Sequence, residues 1–114
     1  MNTHIIGVAG EDCAVKYLQK HGYTILERNF KCKFGEIDIV ATHKRFVVFI
    51  EVKSRKNDAF GQPREAVTDY KQSRIISCAT YWLYLRKRTG VPIRFDVVEV
   101  VNGAVNVIED AFRP

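Results

Sequence analysis

The chain has 114 residues, which is enough for one domain with a single hydrophobic core but not for two. Hydrophobic residues make up 46% of it and charged residues 27%, as in ordinary soluble globular proteins, and no apolar run approaches the roughly 20 residues of a membrane span. The N-terminus lacks the pattern of a signal peptide, so we expect a cytoplasmic protein, and the net charge of +5 suits a polyanionic partner.

The cysteines and histidines indicate no metal or redox chemistry. Cys13, Cys32 and Cys78 are widely separated and form no C-x-x-C pair, and the three histidines show no metal-ligand spacing. Each cysteine lies in an apolar neighbourhood. The sequence therefore predicts buried free thiols and gives no support to Cys–His or Ser–His catalysis.

The chain opens with a predicted helix. It begins somewhere between Thr3 and Gly10 and runs to His21, with Gly22 as its C-terminal stop. Glu11 borders the buried stripe of this helix. By itself, a glutamate near a helix start indicates only a favourable interaction with the helix dipole.

Three strands are predicted next, over Tyr23–Lys31, Glu36–Thr42 and Phe46–Lys53. The third is almost unbroken apolar and rich in β-branched and aromatic residues, which is typical of a central strand covered on both faces. The polar segment Ser54–Gln62 that follows is predicted to be a loop beside the end of this strand.

Ionisable side chains stand where a buried strand would ordinarily carry only apolar ones. Glu51 and Lys53 are two residues apart and share a face, and antiparallel pairing through a turn at Lys44–Arg45 places Asp38 opposite Glu51, about 5 Å away. Two carboxylates so close repel each other unless a divalent cation such as Mg²⁺ neutralises them. Spacing alone leaves a structural ion-pair cluster as an equal alternative.

A long helix is predicted from an N-cap at Thr68 to about Arg88, so that Arg86–Arg88 would complement the dipole in its last turn. Lys71 lies in the first turn, where a cation is unfavourable, and indicates a phosphate contact as readily as a solvated lysine. Trp82 is predicted to be a core residue rather than a base-stacking one. The predicted core face consists of Ile75, Cys78, Ala79, Trp82 and Leu83.

Two final strands, Ile93–Val101 and Val105–Glu109, flank Asn102-Gly103, a strong hairpin signal. The predicted order is therefore αβββα followed by a β-hairpin. The fold class is α/β, with a mixed sheet flanked by helices on both faces.

Several short motifs spread over nearly the whole chain carry a family resemblance. They are Gly10-Glu11 with Ala14, Tyr17 and Leu18; Gly22-Tyr23 and Asn29; Gly35-Glu36-Ile37-Asp38; Phe49-Ile50-Glu51-Val52-Lys53-Ser54-Arg55; Phe60-Gly61; Lys71; and Arg94-Phe95-Asp96. With these motifs the chain resembles the YraN family of uncharacterised bacterial proteins, which is predicted to be endonuclease-like and is distantly similar to archaeal Holliday junction resolvases.

The resemblance implies a single restriction-endonuclease-like domain over residues 1–114 with an αβββαβ core. It implies that Asp38, Glu51 and Lys53 stand at the acid, acid and lysine positions of the PD-(D/E)xK nuclease signature. Glu11 would match the first-helix glutamate that resolvase-like members add to the metal site. The proline that names the signature is absent, because Ile37 precedes Asp38.

The leading expectation is thus a Mg²⁺- or Mn²⁺-dependent nuclease acting on DNA, including branched or structured DNA. The expected metal-holding groups are Asp38, Glu51, Glu11 and the carbonyl of Val52. Lys53 is expected to position the hydrolytic water. The expected phosphate contacts are Arg55, Lys71, Lys31 and Lys33.

Two other classes of function fit the sequence. One is a non-catalytic nucleic-acid-binding accessory protein on the same fold, and the other is a protein-interaction domain with a structural charge cluster. Because so small a chain has little surface for gripping a duplex, a homodimer in which each subunit cuts one strand would suit the nuclease.

Overall fold

The computed structural model describes residues 3–55 and 67–114, with side chains from residue 9 onward in the first range. The elements in chain order are α1 (Thr3–Lys20), β1 (Thr24–Cys32), β2 (Gly35–His43), β3 (Phe46–Arg55), α2 (Asp69–Leu85), β4 (Ile93–Val101) and β5 (Ala104–Phe112).

The strands form one mixed sheet in the order β1-β2-β3-β4-β5. β3 pairs antiparallel with β2 and parallel with β4, and the remaining pairs are antiparallel. β3 is therefore the middle strand, and residues 47–50 are buried. The continuous apolar run follows from this position, since both faces of a central strand are covered.

The two helices cover opposite faces of the sheet. Val48 and Ile50 of β3 belong to the same apolar cluster as Leu18 of α1. Phe49, which points the other way because strand side chains alternate, packs edge-on against Trp82 of α2 with ring centroids 5.7 Å apart. Trp82 is 2% exposed, so its predicted place in the core is confirmed.

Helix α2 begins as predicted and ends earlier than predicted. The hydroxyl of Thr68 accepts a hydrogen bond from the Lys71 amide at 3.2 Å, which makes Thr68 the N-cap. The helix ends at Leu85, so placing Arg86–Arg88 in its last turn was wrong. The physical reason is a left-handed residue, Lys87, with φ of 57°, after which the chain turns away from the helix.

The buried face of α2 is the one expected from the sequence. Its buried residues are Ile75, Cys78, Ala79, Trp82 and Leu83.

The final hairpin confirms its sequence signal. Asn102 and Gly103 have φ of 51° and 82°, as a type I′ turn requires. β5 continues to Phe112, beyond the predicted end at Glu109. An irregularity in its pairing with β4 allows this extension, which stacks Phe112 on Phe95 at 5.0 Å between ring centroids.

This arrangement confirms the predicted α/β class and the αβββαβ order of a restriction-endonuclease-like core. The segment predicted as a loop over 54–62 begins later than expected, because Ser54 and Arg55 still belong to β3, and its remainder lies outside the described residues. Neither α1 nor α2, as far as the described residues go, has the length and apolar character needed to cross a membrane.

Candidate functional site

Asp38 and Glu51 face each other across the β2–β3 hairpin. The antiparallel register ends at Ile39 with Ile50, and Asp38 and Glu51, the next residue of each strand, line the same cleft. One carboxylate oxygen of Asp38 accepts a hydrogen bond from the Val52 amide at 2.7 Å. Asp38 is therefore fixed against the end of β3.

The carboxyl group of Asp38 is placed where its charge is unfavourable. Burial, and then the negative charge of Glu51, raise the pKa of Asp38 to about 7, although the hydrogen bond from Val52 acts in the opposite direction. The charge of Glu11 adds to the increase. A cation close to Asp38 would therefore stabilise the charged form of its carboxyl group.

Two lysines contact Glu51, whose side chain is only 7% exposed. The ammonium of Lys71 lies 2.6 Å from Oε1 of Glu51, and that of Lys53 lies 3.4 Å from the same atom. Burial, and then the neighbouring Lys71, lower the pKa of Lys53. Burial acts on Lys71 in the same direction, but the hydrogen bond to Glu51 raises its pKa. Of the two, Lys71 is thus the firmer counter-ion of Glu51.

These groups line a cleft of about 720 Å³ between the β1–β2 turn, the end of β3 and the start of α2. The side chain of Lys71 is 42% exposed and that of Lys53 is 23% exposed, so the cleft is open to solvent. The residues that line it are Phe34, Gly35, Glu36, Asp38, Glu51, Val52, Lys53, Thr68, Tyr70, Lys71, Arg74 and Ile75.

Glu11 does not line this cleft. Its carboxylate lies 3.3 Å from the guanidinium of Arg28 on β1, which also binds Asp12 at 2.8 Å. Glu11 therefore acts on Asp38 through its charge, and within the described residues it is held by an arginine.

The expected phosphate contacts differ in their surroundings. Lys31 is exposed and lies 3.6 Å from Glu36, and Lys33 sits over the ring of Phe34 at 5.2 Å from its centroid. Arg55 lies 3.6 Å from Oε1 of Glu99, a buried oxygen without a hydrogen-bond partner. Lys31 and Lys33 thus contact two residues that line the cleft, Glu36 and Phe34, whereas Arg55 belongs to the neighbouring β3–β4 pair.

Arg74 is a cleft residue that was not predicted from the sequence. Its guanidinium donates to the carbonyl of Lys33 at 3.2 Å, and its side chain reaches the cleft from α2. Its spacing of three residues from Lys71 places both on one helix face, a signal that could have identified it.

A buried polar network on the face covered by α1 was also missed. Arg94 binds the two carboxylate oxygens of Asp96 at 2.8 and 2.9 Å, the hydroxyl of Tyr23 at 3.0 Å and Nδ1 of His43 at 2.9 Å. Burial, and then Arg94, lower the pKa of His43. The network joins Tyr23, the residue that precedes β1, to β2 and β4, and it accounts structurally for the Arg94-Phe95-Asp96 motif.

The cleft offers two facing carboxylates rather than a closed ligand cage. Within residues 3–55 and 67–114, no three His, Cys, Asp or Glu side chains are grouped so that they could hold a metal ion. Two facing carboxylates nevertheless fit Mg²⁺, which is commonly bound through one or two carboxylates and completes its shell with water and substrate phosphate oxygens.

Comparison with known proteins gives one consistent match. Residues 10–100 match the profile described as "Uncharacterised protein family UPF0102". A UPF0102 protein of Clostridium perfringens is 48% identical over 114 residues, covering 95% of this chain and 93% of that protein. Those of Caldicellulosiruptor saccharolyticus and Persephonella marina are 43% and 42% identical, and each comparison covers 98% of this chain and at least 97% of the relative.

Proposed function

The chain belongs to the UPF0102 family, the YraN family identified from its motifs, and we propose that it is a metal-dependent nuclease that hydrolyses phosphodiester bonds in DNA. The observation that carries this proposal is the pair of facing carboxylates, Asp38 and Glu51, in an open cleft whose other walls carry Lys53, Lys71 and Arg74. Carboxylates that bind a cation beside amines that bind phosphate are what hydrolysis of a polyanion requires.

Asp38 and Glu51 would hold a Mg²⁺ or Mn²⁺ ion, with the carbonyl of Val52 and, through its charge, Glu11 in support. Such an ion, when bound, polarises the scissile phosphate and lowers the pKa of a water molecule. Asp38 is the main reason why these residues fit a divalent cation. Burial and the charge of Glu51 both destabilise its carboxylate, and a bound cation would offset both effects.

The cationic side chains of the cleft have separate roles in this proposal. Lys53 orients the hydrolytic water, and its lowered pKa increases the fraction of neutral amine that is available to accept a proton. Lys71 and Arg74 project from one face of α2 and bind the phosphate oxygens of the substrate.

The rim of the cleft would extend the grip on nucleic acid. Lys31 and Lys33 lie next to the β1–β2 turn, and Arg55 follows the cleft along β3. Branched or structured DNA would present several phosphates to such a site, and a homodimer would bring two sites to two strands. A cytoplasmic location belongs to the same proposal.

A second candidate function is a non-catalytic nucleic-acid-binding accessory protein. The observation that favours it is the closeness of Lys71 to Glu51, at 2.6 Å, because an internal counter-ion satisfies that carboxylate without a metal. Under this alternative the cleft binds phosphates, and its acids serve to position its amines.

The substitution Asp38→Asn distinguishes the two candidates. Asparagine keeps the acceptor for the Val52 amide and removes the charge. A nuclease should lose Mn²⁺-dependent cleavage of branched, nicked and single-stranded DNA by about 100-fold or more while keeping its DNA affinity. Asp110→Asn, which removes the charge of an exposed acid on β5 that does not line the cleft, is the matched control. Absence of cleavage by the unmodified protein on every substrate, with retained DNA binding, would favour the accessory protein.

A further inference from the structure

Two cysteines that lie 46 positions apart in the sequence meet beside the cleft. Sγ of Cys32, at the end of β1, is 2.9 Å from Sγ of Cys78, on the buried face of α2. A disulfide bond has a sulfur–sulfur distance of about 2.05 Å. A side-chain adjustment of roughly 0.9 Å would therefore join the two sulfurs.

The two thiols differ in their access to solvent. Cys78 is fully buried, and it also approaches the carbonyl of Gly35 at 3.6 Å. Burial, and then the neighbouring Cys32, raise the pKa of Cys78 to about 12. Cys32 is only partly buried, at the end of a strand. A solvent-borne oxidant thus meets Cys32 first, and Cys78 stands behind it.

We propose that Cys32 and Cys78 are a peroxide-responsive pair that forms a reversible intramolecular disulfide. The sulfur of Cys32 attacks hydrogen peroxide, the O–O bond breaks, and the products are a sulfenic acid and water. The sulfur of Cys78 then attacks the sulfur of Cys32, the S–O bond breaks, and a second water leaves with the proton of Cys78. Two thiols lose two electrons to one peroxide, and a dithiol reductant reverses the reaction.

The disulfide would act on the wall of the cleft. Gly35, which Cys78 approaches, lines the cleft, and Arg74 of α2 already binds the carbonyl of Lys33 at 3.2 Å. A covalent link between the end of β1 and α2 would hold the β1–β2 turn against the helix that carries Lys71. This inference depends only on the two sulfurs, and it is independent of the proposed nuclease.

The test is mass spectrometry of the intact folded protein treated with hydrogen peroxide. We expect a mass lower by two hydrogens, a Cys32–Cys78 crosslinked peptide after digestion, and full reversal by dithiothreitol. The oxidised protein should unfold at a Tm higher by roughly 5–15 °C, because a crosslink over a long loop constrains the unfolded chain. Cys13→Ser is the matched control and should react in the same way.

Cys78→Ser supplies the second readout. Without its partner, Cys32 should accumulate as the sulfenic acid and be trapped by dimedone, while Cys78 in the variant Cys32→Ser should react far more slowly. Peroxide treatment that leaves both thiols free, or that crosslinks Cys13 or two chains instead, would overturn the proposal. So would a dimedone adduct on Cys32 in the unmodified protein that does not proceed to a disulfide.

Discussion

Asp38 is held in the folded protein with a pKa of about 7, against an ordinary value of 3.8, because burial and Glu51 both disfavour its charge. The folded state therefore retains a proton that the unfolded chain releases near pH 4. As pH rises from about 4 to about 7, the unfolded chain binds fewer protons than the folded one, and the free energy of unfolding falls.

We expect this loss to be specific to Asp38. Between pH 5 and pH 8 the free energy of unfolding should decrease by roughly 2–4 kcal/mol more in the unmodified protein than in Asp38→Asn, since one pKa unit corresponds to about 1.4 kcal/mol. Urea unfolding at the two pH values, without divalent cations, measures it. Parallel pH profiles for the two proteins would mean that Asp38 is not held in an unfavourable charged state.

Lys71 competes with any cation for Glu51, since its ammonium lies 2.6 Å from the carboxylate. Under the proposed function, Lys71→Ala should tighten Mn²⁺ binding by about tenfold, or about 1.4 kcal/mol, and weaken DNA binding in the same protein. Titration of Mn²⁺ followed by electron paramagnetic resonance measures the first effect, and fluorescence anisotropy of labelled DNA measures the second.

Lys20→Ala, an exposed lysine at the end of α1, is the control for Lys71→Ala and should change neither quantity. An unchanged Mn²⁺ affinity in Lys71→Ala would remove Glu51 from the metal site. Opposite effects on metal and DNA are not expected of a lysine that only stabilises the fold.

At the scale of elements, the approach of α1 to the end of β3 depends on one glycine. A Cβ atom added at Gly10 would lie 1.6 Å from Oγ of Ser54 and 2.8 Å from its Cβ. Gly10→Ala should therefore lower the free energy of unfolding by about 1–3 kcal/mol, even though alanine favours a helix. Chemical denaturation measures this change.

The matched partner for Gly10→Ala is Ser54→Gly, which removes both atoms that the new Cβ would meet. In the double variant, part of the loss should be recovered, giving a favourable coupling energy of about 1 kcal/mol or more. Additive effects would show that the two positions are not in contact. Because Ser54 belongs to β3, a displacement at this contact would also shift the strand that carries Glu51 and Lys53.

The elements that local signals define could be predicted from the sequence. The Asn102-Gly103 turn and the apolar run of β3 lie where they were expected, because each signal is contained in a few adjacent residues. The end of α2 was misplaced because the helix ends at Leu85, where the left-handed conformation of Lys87 turns the chain away, and no local pattern marks Lys87 for that conformation.

The site was only partly predictable, because some of its contacts depend on how the helices pack and not on signals in adjacent residues. The sequence was enough to bring Asp38 near Glu51, because the hairpin pairs Ile39 with Ile50, the residues adjacent to them. The meeting of Cys32 with Cys78 depends on how α2 packs on the sheet, which no local pattern encodes. The pairing of Glu11 with Arg28 depends likewise on the packing of α1.

At the scale of the whole molecule, affinity for DNA could come from the net charge of +5 or from particular basic side chains that contact phosphates. If Lys31 and Lys33 contact phosphates at the rim of the cleft, the affinity for DNA should fall with salt at a slope of roughly −3 to −4 in a plot of log K against log salt concentration. The double variant Lys31→Ala/Lys33→Ala should reduce the size of that slope by roughly 1–2.

The control for this experiment is Lys16→Ala/Lys20→Ala, which takes two exposed lysines from α1 and lowers the net charge by the same amount, from +5 to +3 (5 − 2). If long-range attraction alone drives binding, both double variants should change the salt slope equally. If Lys31 and Lys33 contact phosphates, only their removal should reduce the slope, because only a neutralised phosphate releases its counter-ions. Fluorescence anisotropy at several salt concentrations gives both slopes. Equal slopes for the two double variants would mean that DNA affinity depends on net charge alone. If the unmodified protein shows no salt-dependent DNA binding, a protein-interaction domain whose cleft charges are structural would be favoured.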